Sequence, residues 1–240
     1  MKPQNTTAAY VTGGTKGIGY GIAEALLRQG IHCVITSRSQ DAATEAADRL
    51  NANDFPGRCL GTEADVRNLD SQRKAIARGV EAFGRIDLVV ANAGVGHFAA
   101  IQELTADQWA DTIDINLTGV FNTVKAGLDQ LIEHEGYLIT IASLAGTNFF
   151  AKGAAYNASK FGLVGFTQAV MLDLRKHNVR ATTIMPGSVA THFNGNEPSA
   201  EDDWKIQPED IGRLVTDLLA MPARTLPSKV EVRPAVPKSA

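Results

Sequence analysis

Tyr156 and Lys160 stand four residues apart. A helix rises about 6 Å over that interval and sets both side chains on one face. A phenol beside an ammonium is an acid whose ionised form the neighbouring charge favours. An isolated phenol, with a pKa of about 10, is a poor proton donor at neutral pH. Far upstream, Val11-Thr12-Gly13-Gly14-Thr15-Lys16-Gly17-Ile18-Gly19 forms a glycine-rich turn. Glycines admit positive φ and let backbone approach a ligand closely, and a helix start behind them offers free N–H groups to phosphate.

The spacing of that turn, Thr-Gly-x-x-x-Gly-x-Gly, differs from the general dinucleotide fingerprint and from the P-loop. Further on, where NAD-binding folds place an acidic residue for the ribose hydroxyls, the chain reads Thr36-Ser37-Arg38-Ser39. A carboxylate there would repel a 2′-phosphate, whereas Arg38 can pair with it and Lys16 adds a second positive charge. The expected cofactor is NADP(H), cradled by Gly13, Thr15, Lys16, Gly17, Ile18 and Gly19, with Ser37 and Arg38 at the ribose.

The elements that must position these residues alternate. Short β-branched runs at Ala8–Thr12, Ile31–Thr36, Arg58–Ala64, Ile86–Ala91, Tyr137–Ala142, Arg180–Met185 and Lys229–Arg233 read as strands. Between them apolar residues step by three and four, as at Ile113, Leu117, Val120, Phe121, Val124, Leu128 and Leu131, which marks a long helix. Ile18, Ile22, Ala25 and Leu26 mark another, and Ile211, Leu214, Val215 and Leu218 the last. The alternation implies a single α/β domain over 1–240, doubly wound, with a seven-stranded, mostly parallel sheet and helices on both faces. The helix near Tyr156 is apolar around most of its circumference (Phe161, Leu163, Val164, Phe166, Val170, Leu172). Such a helix needs cover on two sides, which predicts a homodimer or homotetramer. The proline-punctuated stretch from Met221 to Pro237 reads as loosely held.

At 240 residues, 44% hydrophobic and with a net charge of −3, the chain has length for one full core and too little basic excess for a nucleic-acid surface. No run is long enough to span a membrane, and Met1-Lys2-Pro3-Gln4-Asn5 is not a signal core. Cys33 and Cys59 lie in strand-like stretches and read as buried thiols, which fits a cytoplasmic setting. The five histidines show no metal-ligand spacing, so no metal is expected.

Taken in order, these motifs resemble the short-chain dehydrogenase/reductase family over essentially the whole chain. Thr12-Gly13-x-x-x-Gly17-x-Gly19 is similar to its cofactor turn, Asp65-Val66 to the pair that contacts adenine, and Asn92-Ala93-Gly94 to a segment lining the cofactor site. Asn116 falls at the family's helix asparagine, Ser143 thirteen residues before Tyr156, and Pro186-Gly187-Ser188-Val189-Ala190-Thr191 at the segment for the nicotinamide carboxamide. The resemblance implies a Rossmann-type fold and a carbonyl or alcohol substrate. In it, Ser143 holds the carbonyl, Tyr156 acts as general acid/base, Lys160 lowers the phenol pKa and holds the ribose, and Asn116 holds a water leading to Lys160. A dedicated 3-oxoacyl-thioester (acyl-carrier-protein) reductase and an NADPH-sensing protein are the alternatives.

The stretch of about 188–206 is the expected lid, with Phe193 and Trp204 available to cover substrate and the acidic run Glu201-Asp202-Asp203 as a solvated face. Leu144, Phe149, Phe150, His97 and His192 are further pocket candidates. Many relatives end in a Gly-rich segment with a Gly-Gly pair, which is absent from Ser228-Lys229-Val230-Glu231-Val232-Arg233-Pro234.

Overall fold

In the computed structural model, which describes residues 7–237, the β-branched runs form seven strands. They are β1 (Ala8–Thr12), β2 (His32–Ser37), β3 (Cys59–Glu63), β4 (Leu88–Ala91), β5 (Tyr137–Ile141), β6 (Arg180–Pro186) and β7 (Lys229–Val232). Their order in the sheet is β3-β2-β1-β4-β5-β6-β7. Every pairing is parallel, for example Tyr10 with Val34 of β2 and Val89 of β4. The strands end within one or two residues of the sequence expectation, the usual fraying of element boundaries.

A parallel sheet needs helical crossovers, which cover both faces. Helices α1 (Gly17–Arg28), α2 (Gln40–Asn51) and α7 (Pro208–Ala220) lie on one face, and α3 (Leu69–Phe83), α5 (Gly119–Glu133) and α6 (Ala154–Leu174) on the other. The strand residues divide by parity. Ala9 and Val11 point into the first core with Ile22, Leu26 and Ile211, whereas Ala8 and Tyr10 point into the second with Val124 and Leu163. Since both faces are covered, all five β1 residues are buried.

The long helix differs from expectation. It begins as α4 (Ala106–Ile113), where Thr105 and Gln108 make a reciprocal capping box, and runs into α5 through a single π-turn at Asp114–Thr118. A π-turn carries one extra residue per turn and re-aims the side chains after it, and Asn116 sits inside this one. The C-terminal stretch is also better tied than its prolines suggested. Gln168 Nε2 donates to Ser228 O at 3.0 Å, Thr182 Oγ1 donates to Pro227 O at 2.7 Å, and Leu226 packs against both cores.

No helix among the described residues is long and apolar enough to cross a membrane. Cys33 and Cys59 are both buried, at paired register positions on β2 and β3, and burial pushes the Cys59 thiol up to about 12.

Candidate active site

Strand order reverses at β1, whose neighbours are β2 and β4, and a crevice opens beyond the C-terminal ends of the strands at such a point. Here the cleft measures about 850 Å³ and is lined from the ends of β1 to β6 in turn. Gly13, Thr15, Lys16, Gly17 and Ile18 come from the turn after β1, and Ser37 and Arg38 from the end of β2. Asp65 and Val66 follow β3, and Asn92, Ala93 and Gly94 follow β4. Ser143 lies just after β5, Tyr156 and Lys160 on α6, and Pro186, Gly187, Val189 and Thr191 at and after the end of β6.

Two of the expected residues stand behind this wall. Gly19 is buried where a Cβ would come within 2.5 Å of Gly13 O. Asn116 is fully buried: its Oδ1 accepts from Val95 N at 2.8 Å, and its Nδ2 donates to Val95 O at 2.9 Å and Ser159 Oγ at 3.1 Å. Both amide hydrogens are thereby committed, which leaves a lone pair on Oδ1.

The cradle depends on backbone conformations that glycine adopts freely. Gly13 has φ 65° and Gly17 φ 57°. The turn is held open by Asn92, whose Nδ2 donates to Thr12 O at 2.9 Å and Gly13 O at 3.1 Å. Thr12 Oγ1 in return accepts from the backbone N–H groups of Asn92 and Ala93. These bonds span β1 and β4 across the crevice, so the glycine turn is fixed by the sheet itself. Glycine backbone against the cleft, a helix start behind it and exposed Lys16 and Arg38 on its wall suit a phosphorylated dinucleotide. Just past β3, Arg67 grips Asp65 through Nη2 at 2.6 Å and Nε at 3.0 Å and holds its carboxyl below the usual range. Among the described residues no three His, Cys, Asp or Glu side chains gather as a metal site.

The electrostatics around the phenol differ from expectation. Burial raises the Tyr156 phenol above its ordinary 10, and the Ser143 hydroxyl beside it works in the opposite sense. The Lys160 ammonium donates to Ile141 O at 3.0 Å and lies 5.7 Å from the centre of the Tyr156 ring. Burial brings Lys160 itself down to about 8. Desolvation is therefore the dominant influence on the phenol, which rests protonated at neutral pH.

The expected lid forms a strap whose neck is closed by a parallel bridge, Val189 to Ile206, with Ala190 N donating to Ile206 O at 2.9 Å. Phe193 lies over the cleft, 5.8 Å from the Tyr156 ring. Trp204 faces Lys205 and is not part of the wall. Asp202 is no mere solvated charge: it accepts from Ser199 N and pairs with Lys205 Nζ at 2.6 Å. His97 and His192 line the cleft, His97 steered by Asp111 at 2.9 Å. Phe150 touches the same aromatic group through Phe98, while Phe149 points to solvent. Phe98 itself, 5.3 Å from the Tyr156 ring, was not visible as a site residue. The available signal was its position in Gly96-His97-Phe98, just past a strand end at the crevice.

A family model described as short chain dehydrogenase matches residues 7–202. An uncharacterised oxidoreductase of Staphylococcus saprophyticus is 34% identical over 232 residues, covering 94% of this chain and 96% of the relative. A putative ketoacyl reductase of Streptomyces coelicolor is 31% identical over 96% of this chain and 89% of its own length. Among solved structures, an alcohol dehydrogenase from the archaeon Thermococcus sibiricus, complexed with 5-hydroxy-NADP, superposes with a TM-score of 0.90. It is 28% identical and covers 98% of this chain and 99% of its own.

Proposed function

The chain belongs to the short-chain dehydrogenase family, and from that premise we propose that it is an NADP(H)-dependent reductase of ketones, aldehydes or 3-oxo compounds. The observation that carries this reading is the meeting of Ser143, Tyr156 and Lys160 in the cleft that Lys16 and Arg38 also line. When bound, NADPH supplies the hydride. Lys16 and Arg38 would neutralise its 2′-phosphate, the turn from Gly13 to Ile18 would receive its pyrophosphate, and Lys160 would hold a ribose hydroxyl. Ser143 orients the carbonyl oxygen by hydrogen bonding. Tyr156, protonated at rest, gives its proton to that oxygen as negative charge develops there and takes one back in the oxidative direction. Asn116 fixes Val95 and Ser159 beside Lys160 and offers its remaining lone pair to a water.

The test is NADPH consumption over aldehydes, diketones, quinones and a 3-oxoacyl thioester, followed against pH. kcat/KM for NADPH reports groups of the free enzyme. It should stay level from about pH 6 to 7, then fall through pH 8 as Lys160, at about 8, loses its charge. The phenol, raised above 10, keeps its proton through that range. Oxidation of the matching alcohol needs the phenolate and should instead speed up with pH. No consumption with any carbonyl, despite a rise in thermal midpoint with NADPH, would replace the enzyme with a cofactor sensor.

The 3-oxoacyl-thioester reading draws on the likeness to the ketoacyl reductase and is covered by the same panel. For assembly, we propose a homo-oligomer built on the α5–α6 face, where Phe121, Phe161 and Leu172 are each more than two-fifths exposed. Light scattering at micromolar concentration should give at least twice the chain mass of 25.5 kDa. A monomer there would sink the idea.

A further inference from the structure

We infer that the substrate carries its carbonyl on, or directly beside, an apolar ring, and that Phe98, Phe150 and Phe193 form the seat for that ring. This deepens the reductase reading and rests on it. Three phenyl rings from three separate segments form one group that reaches the phenol through Phe98 and Phe193: Phe98 from the loop after β4, Phe150 from the loop before α6, and Phe193 from the strap. Phe98 meets Tyr156 edge-on at 5.3 Å, and Phe193 lies 5.8 Å from Tyr156 and 6.4 Å from Phe98. Phe150 closes the group at 5.8 Å from Phe98.

The backbone is cut to fit them. A Cβ on Gly96 would stand 2.8 Å from the Phe193 ring and 2.9 Å from Phe98, and one on Gly153 2.7 Å from Phe150. Yet Phe98 remains 39% and Phe150 48% exposed. Apolar surface held in water beside a reacting group gains free energy when an apolar ligand covers it. Aromatic edges and faces favour another ring over a chain of equal area, because a ring can meet them stacked or edge-on without freezing rotatable bonds.

The charges at the entrance point the same way. Glu197, Glu201 and Asp203 are exposed on the strap. Lys205 is engaged by Asp202 at 2.6 Å, and the His192 ring lies 3.5 Å from Glu197. An anionic carrier bringing a linear acyl chain would meet like charge there.

The test pairs a phenyl or cyclohexyl ketone with a straight-chain ketone of equal carbon number, read in two ways. One is kcat/KM with NADPH; the other is calorimetric binding of the matching alcohols to the chain saturated with NADP+. Ring over chain should be favoured by about tenfold or more in both readouts. The ratio should fall to about threefold or less in Phe98→Leu and in Phe150→Leu, checked for folding by thermal midpoint with NADP+. If Phe98→Leu does not fold, the half-exposed Phe150 carries the comparison alone. A wild-type binding ratio near one, or a ratio unchanged in folded variants, overturns the seat. A preserved binding preference with no turnover of either ketone upholds the seat and overturns the reductase reading alone.

Discussion

Tyr156→Phe is expected to lower kcat/KM for carbonyl reduction by about 10³-fold, roughly 4 kcal/mol of transition-state stabilisation. The substitution keeps the ring, and with it the contacts to Phe98 at 5.3 Å and Phe193 at 5.8 Å. Lys160 is anchored independently, on Ile141 O at 3.0 Å, so the cation does not collapse into the space left by the hydroxyl. What disappears is a proton donor whose burial keeps it loaded across the neutral range. Ser143 remains, but its Oγ is the acceptor for Ala145 N at 3.1 Å, and a serine hydroxyl is too weak an acid to replace the phenol. Titration of NADPH into the variant should give an affinity within about threefold of wild type, since the loss is one of chemistry and not of binding. A reduction in kcat/KM of less than about tenfold would mean that another group, such as His97 or His192 on the cleft wall, delivers the proton.

Arg38→Asp is expected to weaken NADPH binding by about 100-fold and to bring NADH within reach of it. Loss of a charge-assisted hydrogen bond accounts for roughly 1.5–3 kcal/mol, and the introduced carboxylate adds repulsion toward the 2′-phosphate while gaining a partner in free ribose hydroxyls. The surroundings make Arg38 the residue on which this balance turns. Asp65 stands close enough for Arg38 to help lower its carboxyl, but Arg67 already neutralises most of that charge. Lys16 remains on the cleft wall and preserves part of the affinity. Arg38 and Lys16 are both exposed, so the preference for NADPH should shrink as salt is raised from 0.05 to about 0.5 M. Calorimetric titration of both cofactors into both proteins measures it. An unchanged ratio of the two dissociation constants would remove Arg38 from the assignment.

Much of this molecule is legible because its physics is local. The β-branched runs that are buried on both faces of the sheet leave a nearly continuous apolar signature, and each strand end delivers its next residues to the crevice. Gly13 and Arg38 could therefore be placed from the residues themselves, and Asp65, Asn92, Ser143 and Thr191 from the family resemblance. The π-turn could not: Ile113, Leu117, Val120 and Val124 keep a helical period on either side of Asp114–Thr118, and one extra residue in a turn leaves no mark in that pattern. The sense of the Tyr156 shift was also out of reach, because it turns on how much solvent the folded chain excludes from the phenol and Lys160. Phe98 was missed for a related reason. A single aromatic in a loop acquires meaning only when two other segments bring Phe150 and Phe193 against it.

The margin of the sheet at β7 has a consequence for how copies of this chain can meet. Lys229 and Glu231 stand at its exposed positions, and Glu231 is paired with Arg233 at 2.8 Å. Pro227 lies just before the strand and Pro234 just after it, and neither has an N–H to offer an incoming peptide. Charge on an edge strand and proline at its ends are the means by which β-proteins stop a stray extended segment from joining the ladder. Open-ended stacking of chains into fibrils is therefore resisted at this border.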